Sequence, residues 1–387
     1  MKTLVLSLYE SYPPVCGAAM VTYNIAKYLK GKTFLLQLTT RAGDLGDPES
    51  FSLVNVKIRF DHGLGKVINV FAKFPGILAR IKKINPEVLI LEGAAWVFYY
   101  ALLLRAARLM KIRARIVYHS HNVEYLLRKQ KNGPLVSLVT KWSEAWLLNN
   151  AHLVTAVSTT DARHFEDLYG ARCVIIPNGV DTDKFAGIPE SLVGRVKEKY
   201  RLCGRTALFM GLTDFGPNRE ALDFLIDHVF PRVVHRCPDA RLVVIGGDLK
   251  TAKPWLINPG ILPHEDVPPF VRACDICLAP IFSGSGTRLK ILEYMAAGKA
   301  VISTAKGAEG IDVEPGRDIV IAESRDDFVR DICLLLNDPV LARGTGHEAM
   351  VAVRQKYSWR DIASKLEDVS SGLVCGDGMA SFSRRER

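Results

Sequence analysis

Short apolar runs alternate with amphipathic stretches along most of this chain. The runs at residues 3–8 and 88–91 are typical of buried strands, whereas residues 18–29 repeat apolar side chains at the spacing of one helix face. A second series of strands and helices begins after residues 177–205, a stretch rich in charged and turn residues. This alternation predicts two α/β domains, each built on a parallel, doubly wound sheet.

The domain boundaries follow from the same pattern. In a chain of 387 residues we expect a first domain over residues 1–180 and a second over residues 181–356. A further amphipathic helix is expected within residues 357–371, and the polar, glycine-containing stretch 372–387 is expected to be disordered. Ligand-binding residues are expected at the carboxyl ends of the parallel strands.

The most informative segment is a glycine-rich loop that leads into a predicted helix, SGSGTRLKILEYMAAGK at residues 283–299. The helix predicted over residues 287–297 carries Arg288 and Lys290 in its first turn, where the helix dipole favours acids over bases. A bound phosphate would explain this, because loop amides, the dipole and both cations would converge on it. The alternative is an ordinary surface helix in which Lys290 pairs with Glu293. The loop alone leaves both interpretations open.

Motifs elsewhere in the chain carry a resemblance to a known family. In order along the chain they are YPPVCG (12–17), HSHNVE (119–124), IPNGVD (176–181), FMG (209–211) and the loop and helix at 283–299. Together they resemble the family 4 retaining glycosyltransferases of the GT-B fold. The resemblance covers most of the chain and implies two Rossmann-like domains facing across a cleft. It also implies that the helix at residues 357–371 crosses back to the first domain.

The resemblance assigns roles to two residues around the loop. Glu293 matches the second glutamate of the family's Glu-x7-Glu motif, which implies hydrogen bonds to the ribose hydroxyls of a nucleotide. Ser285 stands where the first glutamate is usual, so a hydroxyl contact replaces a carboxylate contact to the donor sugar.

A diphosphate would need cations and amide donors. The Arg and Lys often found in the family after the first strand of the second domain are missing here, so Arg288 and Lys290 are expected to be the counter-charges. Gly286 and Thr287 are expected to donate backbone amides. Gly17, between the first strand and the first helix, is expected to approach the donor diphosphate or the acceptor closely, although a tight strand-to-helix turn is an equal alternative.

His121 matches the family position at which a histidine approaches the donor sugar, and we expect it to position and stabilise charge rather than react covalently. His119 is the weaker candidate. The resemblance implies retention without a protein nucleophile, the leaving diphosphate oxygen taking the acceptor's proton, so Glu124 is expected to cap a helix or bind acceptor. No metal or cofactor is expected, because the sequence Asp181-Thr182-Asp183 lies in the segment that matches the family's hinge.

Positive charge is concentrated in the first half. Residues 1–180 hold 23 Lys and Arg against 12 Asp and Glu, whereas the rest holds 28 against 29. Within that half, residues 66–84 and 96–115 mix bases with apolar residues and contain no acid, which suits an anionic membrane surface. The alternative is that the apolar residues pack on the sheet and the bases are solvated. Nucleic acid is not an expected partner, because aromatic stacking platforms are not visible.

The longest apolar run, at residues 94–104, is too short to span a bilayer, and eight cysteines show no framework spacing. We therefore expect a cytoplasmic protein, peripheral on the inner face of the membrane. The expected function is transfer of a sugar from a UDP- or GDP-sugar to a lipid-linked or polysaccharide acceptor in cell-envelope glycan synthesis. The alternatives are a nucleotide-sugar hydrolase or epimerase and a catalytically idle GT-B scaffold, the latter favoured by Ser285.

Overall fold

The computed structural model describes residues 1–14, 16–41, 48–60, 63–93, 96–203, 205–263, 265–284 and 286–375. These residues form two compact units. Unit 1 comprises Met1–Asn178 and the chain from Trp359 onward, and unit 2 comprises Gly179–Ser358.

Unit 1 is organised around one parallel sheet. Its strands are β1 (Lys2–Ser7), β2 (Lys32–Thr39), β3 (Ser52–Lys57), β4 (Val88–Glu92), β5 (Arg115–Ser120), β6 (Leu153–Ala156) and β7 (Val174–Ile175). The strand order is β3-β2-β1-β4-β5-β6-β7, and every pairing is parallel. The direction of winding reverses between β1 and β4, so loops that follow these two strands diverge and leave a crevice at the carboxyl edge.

Among the described residues up to position 178, seven helices accompany these strands. They are α1 (Gly17–Tyr28), α2 (Gly63–Ala72), α3 (Phe74–Ile84), α4 (Val97–Leu109), α5 (Glu124–Lys131), α6 (Pro134–Asn150) and α7 (Thr159–Tyr169). The core between helices and sheet is apolar, with Leu4, Leu89 and Leu103 wholly buried. Strands buried on both faces explain why the sequence shows continuous apolar runs rather than alternation.

Unit 2 repeats the plan with six parallel strands in the order β10-β9-β8-β11-β12-β13, which confirms the expected pair of doubly wound sheets. The strands are β8 (Arg205–Met210), β9 (Ala240–Ile245), β10 (Leu256–Gly260), β11 (Ile276–Ala279), β12 (Ala300–Ser303) and β13 (Val320–Ile321). The helices are α8 (Thr182–Ala186), α9 (Glu190–Lys199), α10 (Gly216–Asp223), α11 (Phe230–Arg236), α12 (Val267–Ala273), α13 (Leu289–Ala296), α14 (Ala305–Ala308), α15 (Arg325–Asn337) and α16 (Pro339–Lys356).

Proline affects two elements of unit 2. The apolar pattern of residues 218–234 predicts one helix, and the structure has a continuous helical run made of α10, a π-helical stretch Phe224–Val229 and α11, with Pro231 in the first turn of α11. Proline lacks the N–H of a regular helical bond, so the ladder is interrupted before it. Strand β10 was not predicted, since it contains Pro259; as an edge strand it tolerates the missing donor.

The last helix, α17 (Trp359–Cys375), packs on α1 of unit 1. The Glu367 carboxylate accepts hydrogen bonds from the backbone N–H groups of Lys30 (3.0 Å) and Gly31 (3.2 Å). The disorder predicted from residue 372 is wrong for residues 372–375, which continue the helix. Residues 376–387 lie outside the described residues. None of the helices that the structure describes combines the length and apolar character needed to cross a bilayer.

A buried carboxylate joins two helices of unit 1. Glu144 of α6 accepts hydrogen bonds from the backbone N–H groups of Glu124 (2.9 Å) and Tyr125 (3.1 Å), the first residues of α5, and from the Tyr169 hydroxyl (2.6 Å). Burial raises the pKa of Glu144 to about 7 against the effect of these donors. Glu144 thus caps a helix other than its own.

Glu144→Ala is expected to destabilise the protein by about 1–3 kcal/mol, because three donors, one of them in a buried hydrogen bond, lose their acceptor. Urea unfolding of the full chain measures this change. Asn149→Ala, at an exposed position of the same helix, is the matched control and should leave the unfolding midpoint nearly unchanged. Equal midpoints for the two variants would contradict the capping role.

Candidate functional site

The glycine-rich loop of unit 2 is shaped around an arginine. Helix α13 begins one residue after Arg288, so the prediction that Arg288 lies in the first helical turn is wrong, and Arg288 is the N-cap residue. Its guanidinium turns back and donates to the carbonyl oxygens of Gly286 (2.6 Å) and Ser283 (3.2 Å). Gly284, with φ of +93°, allows this close return, since a Cβ there would lie 3.3 Å from Nη2 of Arg288.

Lys290 is the cation that does lie in the first turn of α13. Its Nζ donates to Oδ1 of Asn218 (2.8 Å) and lies 4.3 Å from the centroid of the Phe209 ring. Burial, with a smaller contribution from the charge of Arg288, lowers the pKa of Lys290 to about 7. A negatively charged ligand at this position would raise that pKa and restore the full positive charge.

Lys290 can lie close to the backbone after β8 because the residue there, Gly211, has no side chain. Gly211 follows β8, and a Cβ added to it would lie 2.6 Å from Nδ2 of Asn218 and 2.8 Å from Nζ of Lys290. Asn218 is itself held by a hydrogen bond from Nδ2 to the carbonyl oxygen of Leu212 (2.9 Å). Any larger residue at position 211 would therefore displace the lysine and its amide partner.

Glu293 lies three residues after Lys290 on the same face of α13. Burial raises the pKa of Glu293 to about 7, although Lys184 and Lys290 act in the opposite direction. The groups that act against burial on this carboxylate are charges, and the buried hydroxyl of Thr287 has no hydrogen-bond partner among the described residues. These groups are suited to a ligand that supplies hydroxyl donors and anionic oxygens.

Unit 1 carries a second group of polar residues where β1, β4 and β5 end at the same edge of the sheet. Glu92, the last residue of β4, is buried, and its Oε2 lies 2.8 Å from Nε2 of His121. Burial opposes ionisation of Glu92, but His119 and His121 together hold its pKa below the ordinary value. The carboxylate favours the His121 tautomer with the proton on Nε2.

Three neighbours complete this group. The Thr22 hydroxyl of α1 donates to Glu92 (3.4 Å) and pairs with the Tyr9 hydroxyl (2.9 Å). His119 stacks edge-on to His121 with 5.4 Å between the ring centroids, and its Nδ1 pairs with Thr155 (2.6 Å). Burial lowers the pKa of His119 to about 4, so this imidazole is neutral at physiological pH.

Glu92, His119 and His121 are also the residues that could hold a metal, since one ligand atom of each lies within 4.8 Å of the others. Zinc bonds of about 2.0–2.2 Å require ligand atoms roughly 3.5 Å apart, so the three side chains would have to close. Oε2 of Glu92 is already engaged with His121. The geometry is that of a hydrogen-bonded carboxylate–histidine pair.

The structure brings five of the predicted residues together in unit 2: Gly286, Thr287, Arg288, Lys290 and Glu293. Ser285 lies outside the described residues. In unit 1, Gly17 is the first residue of α1, the helix that also carries Thr22, and His121 follows β5.

Two residues considered for other chemistry have local partners. Glu124 begins α5 and accepts from Nε of Arg128 (2.5 Å), and Asp181 caps α8 by accepting from the Lys184 N–H (3.2 Å). Sequence reasoning missed Glu92, Asn218 and Phe209. The signal for Glu92 was a lone acid at the end of the apolar strand VLILE.

Comparison with known proteins identifies the fold. By fold, the chain resembles a sucrose-phosphate synthase from Thermosynechococcus elongatus (TM-score 0.79, 15% identity, 97% of this chain and 99% of that one). It also resembles HepE of Anabaena, solved with UDP and glucose (TM-score 0.74, 15% identity, 96% and 99%). The architecture is therefore that of the GT-B glycosyltransferases.

Two family profiles match the chain: Glycosyltransferase Family 4 over residues 15–184, and Glycosyl transferases group 1 over residues 204–338. The chain belongs to the family 4 glycosyltransferases. A GDP-mannose-dependent α-(1-6)-phosphatidylinositol monomannoside mannosyltransferase of Mycolicibacterium smegmatis is 27% identical over 246 residues. That match covers 58% of this chain, and the chain spans about three fifths of the length of this relative, 63%.

The neutral state of His119 is testable by NMR. With a pKa of about 4, its ring signals should stay unchanged from pH 8 to pH 5.5, because burial disfavours the imidazolium. The signals are assigned by comparison with the His119→Gln protein. A titration midpoint at or above the ordinary value of about 6.5 would contradict this description of the site.

Proposed function

We propose that this protein is a retaining glycosyltransferase that moves a sugar from a UDP- or GDP-sugar to a lipid-linked or polysaccharide acceptor in cell-envelope glycan synthesis. One observation carries the proposal. In unit 2 a glycine-rich loop and the first turn of α13 hold Arg288 and a desolvated Lys290 close to Glu293, whose carboxyl pKa is raised by burial. A nucleoside diphosphate satisfies all three groups at once.

Each group has a distinct role in the proposal. Lys290 and Arg288 stabilise the charge that develops on the departing diphosphate, which is the main electrostatic demand of the reaction. Glu293 accepts hydrogen bonds from the ribose hydroxyls. Burial raises the pKa of Glu293 to about 7, which means that the charged carboxylate is poorly solvated there. Ribose hydroxyls that donate to it would replace the lost solvation as well as form contacts.

In unit 1, His121 is the proposed catalytic residue for positioning the sugar and stabilising charge. Glu92 is a positioning residue, since its hydrogen bond to Nε2 fixes the ring and its tautomer. The proton of the acceptor hydroxyl passes to the leaving diphosphate oxygen. The name of the mycobacterial relative, a mannosyltransferase that uses GDP-mannose, makes this donor the first to test.

Arg288→Ala is expected to lower turnover of the nucleotide sugar at least a hundredfold, because loss of one donor to a developing anion costs about 2.7–4 kcal/mol. Glu293→Ala is expected to lower turnover at least tenfold, because the ribose hydroxyls lose a charged acceptor and such a hydrogen bond is worth about 1.5–3 kcal/mol. A screen of UDP and GDP for thermal stabilisation of the native protein selects the nucleotide first. Turnover is then measured as release of that nucleoside diphosphate from its sugar conjugates in the presence of envelope lipid extracts.

Arg325→Ala is the matched control, because Arg325 is an exposed arginine of unit 2 that pairs with Asp326. It should retain normal turnover. Near-normal kinetics in Arg288→Ala or Glu293→Ala would refute the site. Nucleotide binding without transfer to any acceptor would contradict the proposed enzyme and favour a scaffold.

We also propose a peripheral position on an anionic membrane, and α6 supports it. In the first half of α6 the apolar face points to solvent and the polar face is buried. Leu135, Leu138 and Trp142 are 74%, 52% and 73% exposed. Ser137 and Thr140 are buried instead, with their hydroxyls bonded to carbonyl oxygens one turn back. An apolar helix face that points outward marks an interaction surface.

The charge around α6 favours a membrane as the partner. Residues 125–143 contain four Lys and Arg and no acid. In the two basic segments at residues 66–84 and 96–115, about half of the apolar residues are buried, including Ile77, Ile81 and Leu103. The exposed ones include Ile68 (61%) on α2 and Phe98 (47%) and Leu109 (86%) on α4, so they are spread over two helices. The membrane surface proposed here is therefore centred on α6 rather than on those segments.

The double variant Leu138→Ser/Trp142→Ser is expected to bind vesicles of phosphatidylglycerol and phosphatidylcholine at least tenfold more weakly. Burying one large apolar side chain contributes about 1.5–3 kcal/mol to the free energy of binding, and the variant loses two. Flotation of the full chain measures this binding. Leu334→Ser/Val340→Ser, at exposed positions of unit 2, is the control and should bind as wild type. Wild-type binding should weaken with salt; binding that is equal on neutral vesicles would contradict the proposal.

A further inference from the structure

A cavity of about 220 Å³ opens in unit 1 near the amino-terminal ends of β5 and β6. This is the opposite edge of the sheet from the one that carries Glu92 and His121, because all strands run parallel. Its floor is apolar, formed by residues such as Leu104 and Ile116. The cavity is therefore separate from the group of polar residues around His121.

The polar lining of this cavity is entirely basic. It consists of Arg108, Arg113, Arg115 and His152, and none of the described residues that line it is acidic. Three arginines give this small cavity a lining of one sign of charge, which an anion would offset. Guanidinium groups bind phosphate oxygens in a bidentate manner, which makes phosphate the anion that this lining fits best.

Arg108 is held in place by the helix behind it. Nη1 donates to Oδ1 of Asn150 (2.6 Å) and Nη2 to the Asn150 carbonyl oxygen (3.1 Å). Its guanidinium also lies over the Trp146 ring, 5.8 Å from the centroid. These contacts use two of the five N–H groups of the side chain and fix its orientation, so a ligand would not have to order it.

His152 adds a donor of fixed orientation. Its Nδ1 lies 3.0 Å from the backbone N of Ile116 and accepts that N–H. The ring proton of the neutral imidazole must then be on Nε2, which makes that atom a donor. Burial, together with the charges of Arg115 and Arg108, lowers the pKa of His152, so the neutral donor form is the resting one.

From this arrangement we propose that the cavity is a phosphate-binding site, with the guanidinium groups and Nε2–H of His152 on the phosphate oxygens and the carbon portion of the ligand against the apolar floor. The volume is below the roughly 300–1,000 Å³ typical of sites for drug-sized ligands, so it suits a phosphate ester of small size rather than a nucleotide sugar. The phosphate could belong to a free ester or to a lipid headgroup. The site does not depend on the proposed transferase activity.

The test compares two double variants of the full chain that lose the same charge. Arg113→Ala/Arg115→Ala removes two exposed arginines of the cavity, and Arg80→Ala/Lys83→Ala removes two exposed bases of α3 as the control. Binding of glycerol 3-phosphate and of inorganic phosphate is measured by titration calorimetry. Vesicles of phosphatidylcholine with and without phosphatidic acid form the second arm. Thermal unfolding establishes that both variants are folded.

The expected result is saturable binding by the wild type that weakens at least tenfold in the cavity variant and stays within twofold in the control. A cavity-specific loss with the soluble esters identifies a free ester as the source, and a loss confined to phosphatidic acid vesicles identifies a lipid headgroup. Equal weakening in both double variants would show a general charge effect and overturn the proposal. Absence of saturable binding in both arms would overturn it as well.

Discussion

Both units depend on one constraint: in a parallel sheet every strand ends at the same edge. In unit 1 this places Glu92 at the end of β4 beside His121, which follows β5. In unit 2 it places Gly211, after β8, against Lys290 of the helix that follows β11. The polar groups of each site come from distant parts of the chain, and sheet topology alone collects them. The same constraint leaves the opposite edge of unit 1 free for the basic cavity.

The charges of the unit 2 site are held in an unfavourable state. The pKa of Glu293 is raised, so this group costs stability as the pH rises from about 4.5 to 7. The pKa of Lys290 is lowered, so its cost grows as the pH falls from about 10.5 toward 7. Near neutrality both groups oppose folding of the unliganded chain. A ligand with hydroxyl donors and anionic oxygens removes both penalties together. Relief of these two unfavourable free energies therefore contributes to the affinity of the ligand.

The sequence was sufficient for the parts of the site that are local. The glycine spacing and the cations at positions 288 and 290 lie within one loop and one helix, and could be interpreted directly. The start of α13 could not, because Arg288 prefers loop carbonyl oxygens to a place in the helix. The pairing of Glu92 with His121 depends on strand register across 29 residues. Unless the register of β4 against β5 is known, the sequence does not show which residue Glu92 contacts.

Helix α6 shows a second reason why local patterns fail. Helical periodicity alone would assign the stripe of Leu135, Leu138 and Trp142 to the core. The structure buries the opposite face, which is possible because the hydroxyls of Ser137 and Thr140 are satisfied within their own helix. The polar face is buried at little cost because these hydroxyls bond to carbonyl oxygens four residues earlier. The spacing of apolar residues in the sequence gives no information about such bonds.

Glu144 connects α6 to the start of α5 by hydrogen bonds. The carboxylate of α6 holds the first two N–H groups of α5, and α5 begins three residues after His121. The two helices are therefore joined at the point where the chain leaves the histidine. A displacement of α6 would therefore move the peptide segment next to the imidazole, so the proposed membrane contact of α6 would be coupled through Glu144 to the orientation of the His121 ring.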